Sequence, residues 1–454
     1  MSQLNPSSNF SADISNYIQQ KVLPLVQRQL VAYAFGDSLR LPKHNGKTYT
    51  ASRYNRIALP NAPLAEAVPP VGKALVLEQV SATAQQWGDL VQIPDVGQLT
   101  IKHDLFKQAI KLVAMQQRET LERNTFNTLM AGTQVNFADA AGSRAALDAT
   151  DVINSFEINR AVAALRTIGA PEFLGQMEED ATITAGKPSK ASSSPAGMEH
   201  FVGIMHPLIE AQMRADTTFV TAVSYSDINR LYNNELGEWQ GVRFCRCNMV
   251  PTITGATTVA GSAVLSGGNL ADGTYYMTVT ETDAVTQNET VIHQKSSGIV
   301  VAGGGGLASI TLTTPAATNP NNLMSVYLSQ PATTTTLNLG VTTAGPVTGL
   351  MQGQGVQVLP STAIVLTGVG LSQTPPAPPA TGVTVIPTFI LGRNAYGIVA
   401  LDDVKFFYLD KAEKLDPLNQ YSTVSWKIMY GTIILNQNFF CRIESSTLNT
   451  ANFS

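Results

Sequence analysis

From Pro251 to Val385 the chain runs for 135 residues with only five charged side chains: Asp272, Glu281, Asp283, Glu289 and Lys295. Thr, Gly, Ala, Val and Pro dominate the stretch, and it contains no arginine. Both flanks are ordinarily charged and carry helix and strand patterning. So abrupt a shift reads as a guest domain set into a host, and the host is read by joining 1–250 to 386–454. A chain of 454 residues is long enough for two or three domains with their own cores.

Net charge is −4, and setting the guest aside leaves 28 basic against 29 acidic residues. That balance argues against a surface that grips nucleic acid, which needs clustered positive charge. Lys187 and Lys190, in a Pro/Ser/Gly-rich loop, read as solvated loop charge. The polar start MSQLNPSSNFSAD has no secretory pattern, and no run of about 18 apolar residues predicts a membrane helix. Three cysteines exclude a disulfide scaffold. Cys245 and Cys247 fall at i, i+2 on one face of a predicted strand, a poor zinc site and an awkward disulfide, so they read as buried thiols. The expectation is folding in a reducing cytoplasm.

Along the host, Ile18, Val22, Leu25, Val26, Leu30 and Tyr33 have helical spacing within 14–35. Asn45-Gly46 predicts a two-residue hairpin whose second arm is Thr48–Tyr54. Residues 60–100 read as a long two-armed β excursion with its tip near Pro69–Gly72, a ribbon that is marginal in water without a neighbouring surface. A helix of about 43 Å is predicted over 103–131, with apolar clusters at Leu105/Phe106/Ala109/Ile110/Leu112/Val113 and Leu121/Phe126/Leu129/Met130. A second helix starts at Asn154 with Glu157, carries the stripe Ile158, Val162, Leu165, Ile168, and stops at Gly169-Ala170-Pro171. An acidic and Ser-rich loop (175–198) follows, then a buried strand in HFVGIMHP, a short helix near Leu208–Arg214, a helix in SYSDINRLYN, and strands in GEWQGVRFCRC. After the guest come several strands, with Val424, Trp426, Ile428, Tyr430 and then Phe439, Cys441, Ile443 alternating. The host is α+β with a mixed sheet. Within the guest, 273–283, 308–315 and 323–330 read as strands, and 346–385 as an extended return path.

The chain offers no catalytic constellation. His44, His103, His200, His206 and His293 are scattered without ligand spacing. Glu178-Glu179-Asp180 reads as a solvated acidic loop, Gly303–Gly306 as a flexible loop without phosphate-binding context, and no serine sits in a GxSxG elbow. No catalytic, cofactor or metal site is expected.

The order of segments carries more. GDSLRLPKHNGKTYTASRY (36–54), LAEAVPP (64–70), ATAQQWGDLVQIPDV (82–96), LERNTFNTLMAGT (121–133), LRTIGAP (165–171), HFVGIMHP (200–207), NELGEWQGVRF (234–244), GRNAYGIVAL (392–401) and DPLNQYSTVSWK (416–427) are collinear. Together they resemble a tailed-bacteriophage major capsid protein of the Hong Kong 97-like fold, in the family of the phage N4 major coat protein. The resemblance implies an N-terminal arm (1–60), an extended loop overlapping an adjacent subunit (61–100), and a spine helix of a peripheral domain (101–133). The axial and remaining peripheral parts fall at 134–250 with 386–454. The guest (251–385), absent from that family's uninterrupted chain, is similar to immunoglobulin or fibronectin type III sandwiches, with a Pro-rich return. The implied function is self-assembly into hexamers and pentamers of an icosahedral head around double-stranded DNA, held non-specifically. Portal, scaffolding or decoration proteins are implied partners, with no membrane, and the virion assembles in the bacterial cytoplasm. Arg53, Lys73, Glu78, Trp87 and Asp89 are the expected intersubunit contacts. An encapsulin-like nanocompartment shares this fold and is the alternative. A surface adhesin would explain the guest but not the host.

Overall fold

The computed structural model describes residues 31–42, 44, 46–55, 57–59, 72–95, 105–173, 200–214, 220–221, 235–329, 337–344, 347–350, 356–361, 363–369, 377–409 and 421–447. The predicted helical turns before Val31, the ribbon tip before Gly72, the acidic loop, Lys187, Lys190 and the SYSDINRLYN helix lie outside these residues.

One helical turn, α1 (Ala32–Phe35), leads into strand β1 (Asp37–Arg40). Strands β2 (Thr48–Tyr54) and β3 (Leu77–Thr83) form an antiparallel ribbon pairing Thr48 with Thr83 and Tyr54 with Leu77. Both alternate exposed and half-buried residues, and neither buries a side chain fully. The hairpin expected at Asn45-Gly46 is corrected here. Residues before it are taken elsewhere, β1 in a parallel pairing with 397–400 and Leu41 through its N–H to the Ala400 carbonyl, 2.9 Å. β2 pairs instead with β3, whose Val80 and Ala82 pack beside Tyr49 against buried Leu41, Ala84, Val399 and Ile433. The ribbon root thus finds burial within its own chain.

Strand β4 (Gln85–Pro94) precedes helix α2 (Leu105–Met130), which spans about 39 Å. Its buried residues, Ala109, Val113, Gln117, Leu121, Glu122, Thr125, Phe126 and Leu129, run as one stripe that bridges the two predicted apolar clusters. Leu112, expected in the first apolar cluster, is 51% exposed. β5 (Val135–Phe137) follows. In α3 (Ser155–Ile168) the Asn154 side chain accepts from the N–H of Phe156 and Glu157, and Gly169 ends the helix at φ 76°. Gly suits that left-handed cap because it has no Cβ to clash. Ile158, Val162 and Leu165 are buried, whereas Ile168, in the last turn, is 48% exposed. β6 (Phe201–Met205) is buried throughout, and α4 (Pro207–Met213), β7 (Val220–Thr221), β8 (Glu235–Trp239) and β9 (Val242–Arg246) complete this half.

Among its described residues the charge-poor stretch has strands as its regular elements: β10 (Ile253–Ala256), β11 (Gly261–Val264), β12 (Gly273–Tyr275), β13 (Met277–Thr282), β14 (Glu289–His293), β15 (Ile299–Val301), β16 (Ser309–Thr313), β17 (Leu323–Ser329), β18 (Leu337–Ala344), β19 (Val347–Leu350), β20 (Val356–Val358) and β21 (Ala363–Val369). One layer runs β14-β13-β17-β20-β19 and the other β11-β16-β21-β18. Between them lies a core that includes Met277, Val279, Ile310, Met324, Leu328 and Leu366. The return path predicted over 346–385 is corrected: β19, β20 and β21 occupy its first half, and alternation that buries Ile364 and Leu366 makes the third a core strand.

Four strands remain in the host: β22 (Thr384–Leu391), β23 (Tyr396–Leu409), β24 (Tyr421–Ile434) and β25 (Phe440–Ser446). The small sheet has the order β1-β23-β24-β4, and α2 lies on it over Val424, Trp426, Ile428 and Tyr430. The larger host sheet runs β7-β8-β9-β6-β22-β25-β5, mixed because β6–β9 and β25–β5 are parallel. Its core takes in Phe126, Leu129, Ile158, Phe201, Phe244 and Phe389. One edge of β22 is shared. Thr384 and Val385 pair with β10 of the charge-poor unit, and Phe389–Leu391 pair with β6.

Candidate functional site

The ribbon sets Arg53 directly opposite Glu78. Arg53 Nε donates to Glu78 Oε2 at 3.0 Å and Nη2 to Oε1 at 2.9 Å, with both side chains about 40% exposed. A two-pronged cross-strand pair of this kind stiffens a strand pair more than a single contact does. Arg53 also reaches the Leu435 carbonyl at 3.5 Å, tying the ribbon to the body. Lys73 lies further out, and its ammonium donates to the Ala58 carbonyl across the chain. Past the paired segment Asn55 N–H donates to Val76 O at 3.0 Å. There Tyr54, Ile57, Leu59, Leu75, Val76 and Leu77 all stand in solvent, Leu59 at 88%.

Trp87 and Asp89 sit on β4 facing α2, away from Arg53, Glu78 and Lys73. Trp87 packs on Tyr430 with centroids 6.5 Å apart, and the Arg123 guanidinium lies 6.0 Å from its ring. Asp89 accepts from its neighbour Leu90 N–H at 2.8 Å and from Gln116 Nε2 at 2.5 Å. Gln116 Oε1 in turn accepts from Trp426 Nε1 at 3.2 Å. Of the five residues predicted, then, Arg53 and Glu78 meet, while Trp87 and Asp89 lock β4 onto the helix.

Three polar centres, two buried and one half-buried, escaped sequence reasoning. Glu122 on α2 is fully buried and accepts from Val31, Ala32 and Tyr33 N–H. Burial raises its pKa, opposed by those three hydrogen bonds. Its sequence signal is position, four residues before Phe126 and seven before Leu129 on the buried stripe. The second centre is Glu444, 1% exposed, held by Arg144 through Nε at 2.7 Å and Nη2 at 2.6 Å and by Arg442 Nε at 2.9 Å. Arg442 also donates to the Leu129 and Met130 carbonyls, capping the C-terminus of α2. The third is His206, whose Nδ1 accepts from Leu208 N–H at 3.2 Å to cap α4. Burial pulls its pKa down to about 4.

A cavity of about 690 Å³ opens where the charge-poor unit meets the large host sheet, lined by Arg144, Arg442, Glu444 and Glu289 among others. Its charges are already engaged, the two guanidinium groups by Glu444 and the Glu289 carboxylate by Thr280 and Tyr327 hydroxyls. Among the described residues no group of three or more His, Cys, Asp or Glu side chains could hold a metal ion, and no helix is long and apolar enough to cross a membrane. Cys245, Cys247 and Cys441 are buried and form no disulfide.

No protein-family model matches this sequence, and no curated protein does. Among solved structures the chain is similar to one in the capsid of Ralstonia phage GP4, at 10% identity and TM-score 0.51 over 99% of both chains. It is also similar to one in the cyanophage Pam1 capsid asymmetric unit (12% identity, TM-score 0.48, 99% and 100% covered). A third is in the capsid of cyanophage P-SCSP1u (11% identity, TM-score 0.48, 94% and 92% covered). At such identities likeness speaks of architecture rather than activity. The strand-rich α+β fold described above is one that this chain shares with a chain of the Ralstonia phage GP4 capsid.

Proposed function

We propose that this chain is the major capsid protein of a tailed bacteriophage, of Hong Kong 97-like fold and related to the phage N4 coat protein. It self-assembles into hexamers and pentamers of an icosahedral head that encloses double-stranded DNA. The supporting observation is the ribbon, whose six large apolar side chains at residues 54–59 and 75–77 stand in water. Patches of this kind mark surfaces that another molecule covers. Copies of the same chain are the natural cover for a repeated shell, where many modest contacts add over a closed lattice.

In this reading residues 1–60 are the arm, 61–100 the overlapping loop and 101–133 the spine segment. The segments 134–250 and 386–454 make the axial and remaining peripheral parts, and 251–385 is an inserted sandwich. Arg53, Lys73, Glu78, Trp87 and Asp89 contact or shape the intersubunit surface. Portal, scaffolding or decoration proteins are partners, DNA is confined non-specifically, and the virion is built in the bacterial cytoplasm. The chain has no catalytic role. The test keeps the ribbon root and removes its outer part: residues 56–75 are replaced by Asn-Gly, which suits a tight turn between Asn55 and Val76. Soluble subunits that no longer close into particles under electron microscopy are expected. Normal particles from this variant would sink the proposal, and wild-type particles filled with protein cargo without nuclease-protected DNA would favour the encapsulin-like alternative.

A further inference from the structure

The start of α1 poses a problem that Glu122 solves. The first N–H groups of any helix lack intrahelical partners, and Val31 at the N-cap supplies no side-chain hydrogen bond. A helix of four residues cannot persist by itself. Here a carboxylate some ninety residues away does the capping: Glu122 Oε1 accepts from Val31 N–H at 2.7 Å and Ala32 N–H at 2.6 Å, and Oε2 from Tyr33 N–H at 2.8 Å. The Cys247 thiol donates to Oε1 at 3.5 Å, and the Tyr396 hydroxyl closes the other side by donating to Ala32 O. Glu122, Ala32, Cys247, Val31 and Tyr396 are all buried.

We propose that Glu122 is a latch: it ties residues 31–33 to α2, so that this segment and the helix move together. An ordinary packing residue on this stripe would be apolar; a carboxylate buried on three N–H groups is there to hold backbone. The gradation between two variants of the full chain reads this out. In Glu122→Gln one oxygen remains, so the amide can serve Val31 and Ala32 or Tyr33, not both. In Glu122→Leu none is served.

Hydrogen exchange by mass spectrometry is expected to show protection at residues 31–33 partly lost in Glu122→Gln. In Glu122→Leu it falls on the order of a hundredfold, with β22 and β25 unchanged. Equal protection of residues 31–33 in wild type and both folded variants overturns the latch. So does wild-type exchange of these amides at the unstructured rate, a measurement that needs no variant to fold. Should both variants fail to fold, Tyr396→Phe, which removes only the hydroxyl on Ala32 O, is expected to loosen the same amides, and their unchanged protection overturns the proposal. Because exchange is read on subunits, a failed latch and a failed capsid assignment give separate results.

Discussion

Glu444 carries two guanidinium groups in a nearly dry setting, with Arg144 and Arg442 side chains only 10% and 8% exposed. Removing it leaves two buried cations facing each other and the α2 cap unsupported. Glu444→Ala is therefore expected to cost about 3–5 kcal/mol, measured by denaturant unfolding, while Glu289→Gln at the same cavity keeps its hydroxyl partners and costs far less. His206 makes a pH prediction. Its folded pKa of about 4 lies below the ordinary 6.5 because burial disfavours the charged ring. Its contribution is thus complete above pH 6.5 and lost as pH falls from there toward 4, by up to about 3 kcal/mol. His206→Asn keeps a capping oxygen without the titration, so its stability should be flatter over that window in urea melts at stepped pH. Glu444 was not legible in the sequence, because a buried charge is recognisable only once its distant partners, here Arg144 and the neighbouring Arg442, are placed around it.

At the scale of elements much more was legible. The α3 boundaries followed from Asn154, Glu157 and Gly169 because capping is local chemistry. Asn154→Ala is expected to cost about 1 kcal/mol. Gly169→Ala should cost about 1 kcal/mol more, purely from its φ of 76°, since a Cβ there meets nothing within 4 Å. The two lie at opposite helix ends and should add, which a double variant in thermal melts will check. The α2 helix was legible in type but not in burial. Gln117, Glu122 and Thr125 lie in its buried stripe because the helix passes from the small sheet into the main core. The Asn45-Gly46 turn misled because local turn chemistry cannot see that 77–83 competes for Thr48–Tyr54. Of the predicted site, the Arg53–Glu78 register depended on that same distant pairing.

For the whole molecule, composition alone marked the charge-poor unit, while its seam with the rest needed the structure. β22 serves both sides, and the backbone carbonyls of Pro379 and Ala380 press so close to Gly255 that an added Cβ would sit 2.2 Å from the latter's oxygen. Calorimetry of the full chain should therefore show one cooperative transition, and Gly255→Ala should split it in two. A single unchanged endotherm in that variant would disprove the coupling. The same seam has a topological consequence. Thr254 leaves the large sheet beside the very residue, Thr384, at which the backbone comes back, their hydroxyls 2.9 Å apart. The chain between those two threonines is a detour whose two ends meet as strand neighbours, so a tight turn could rejoin them in register.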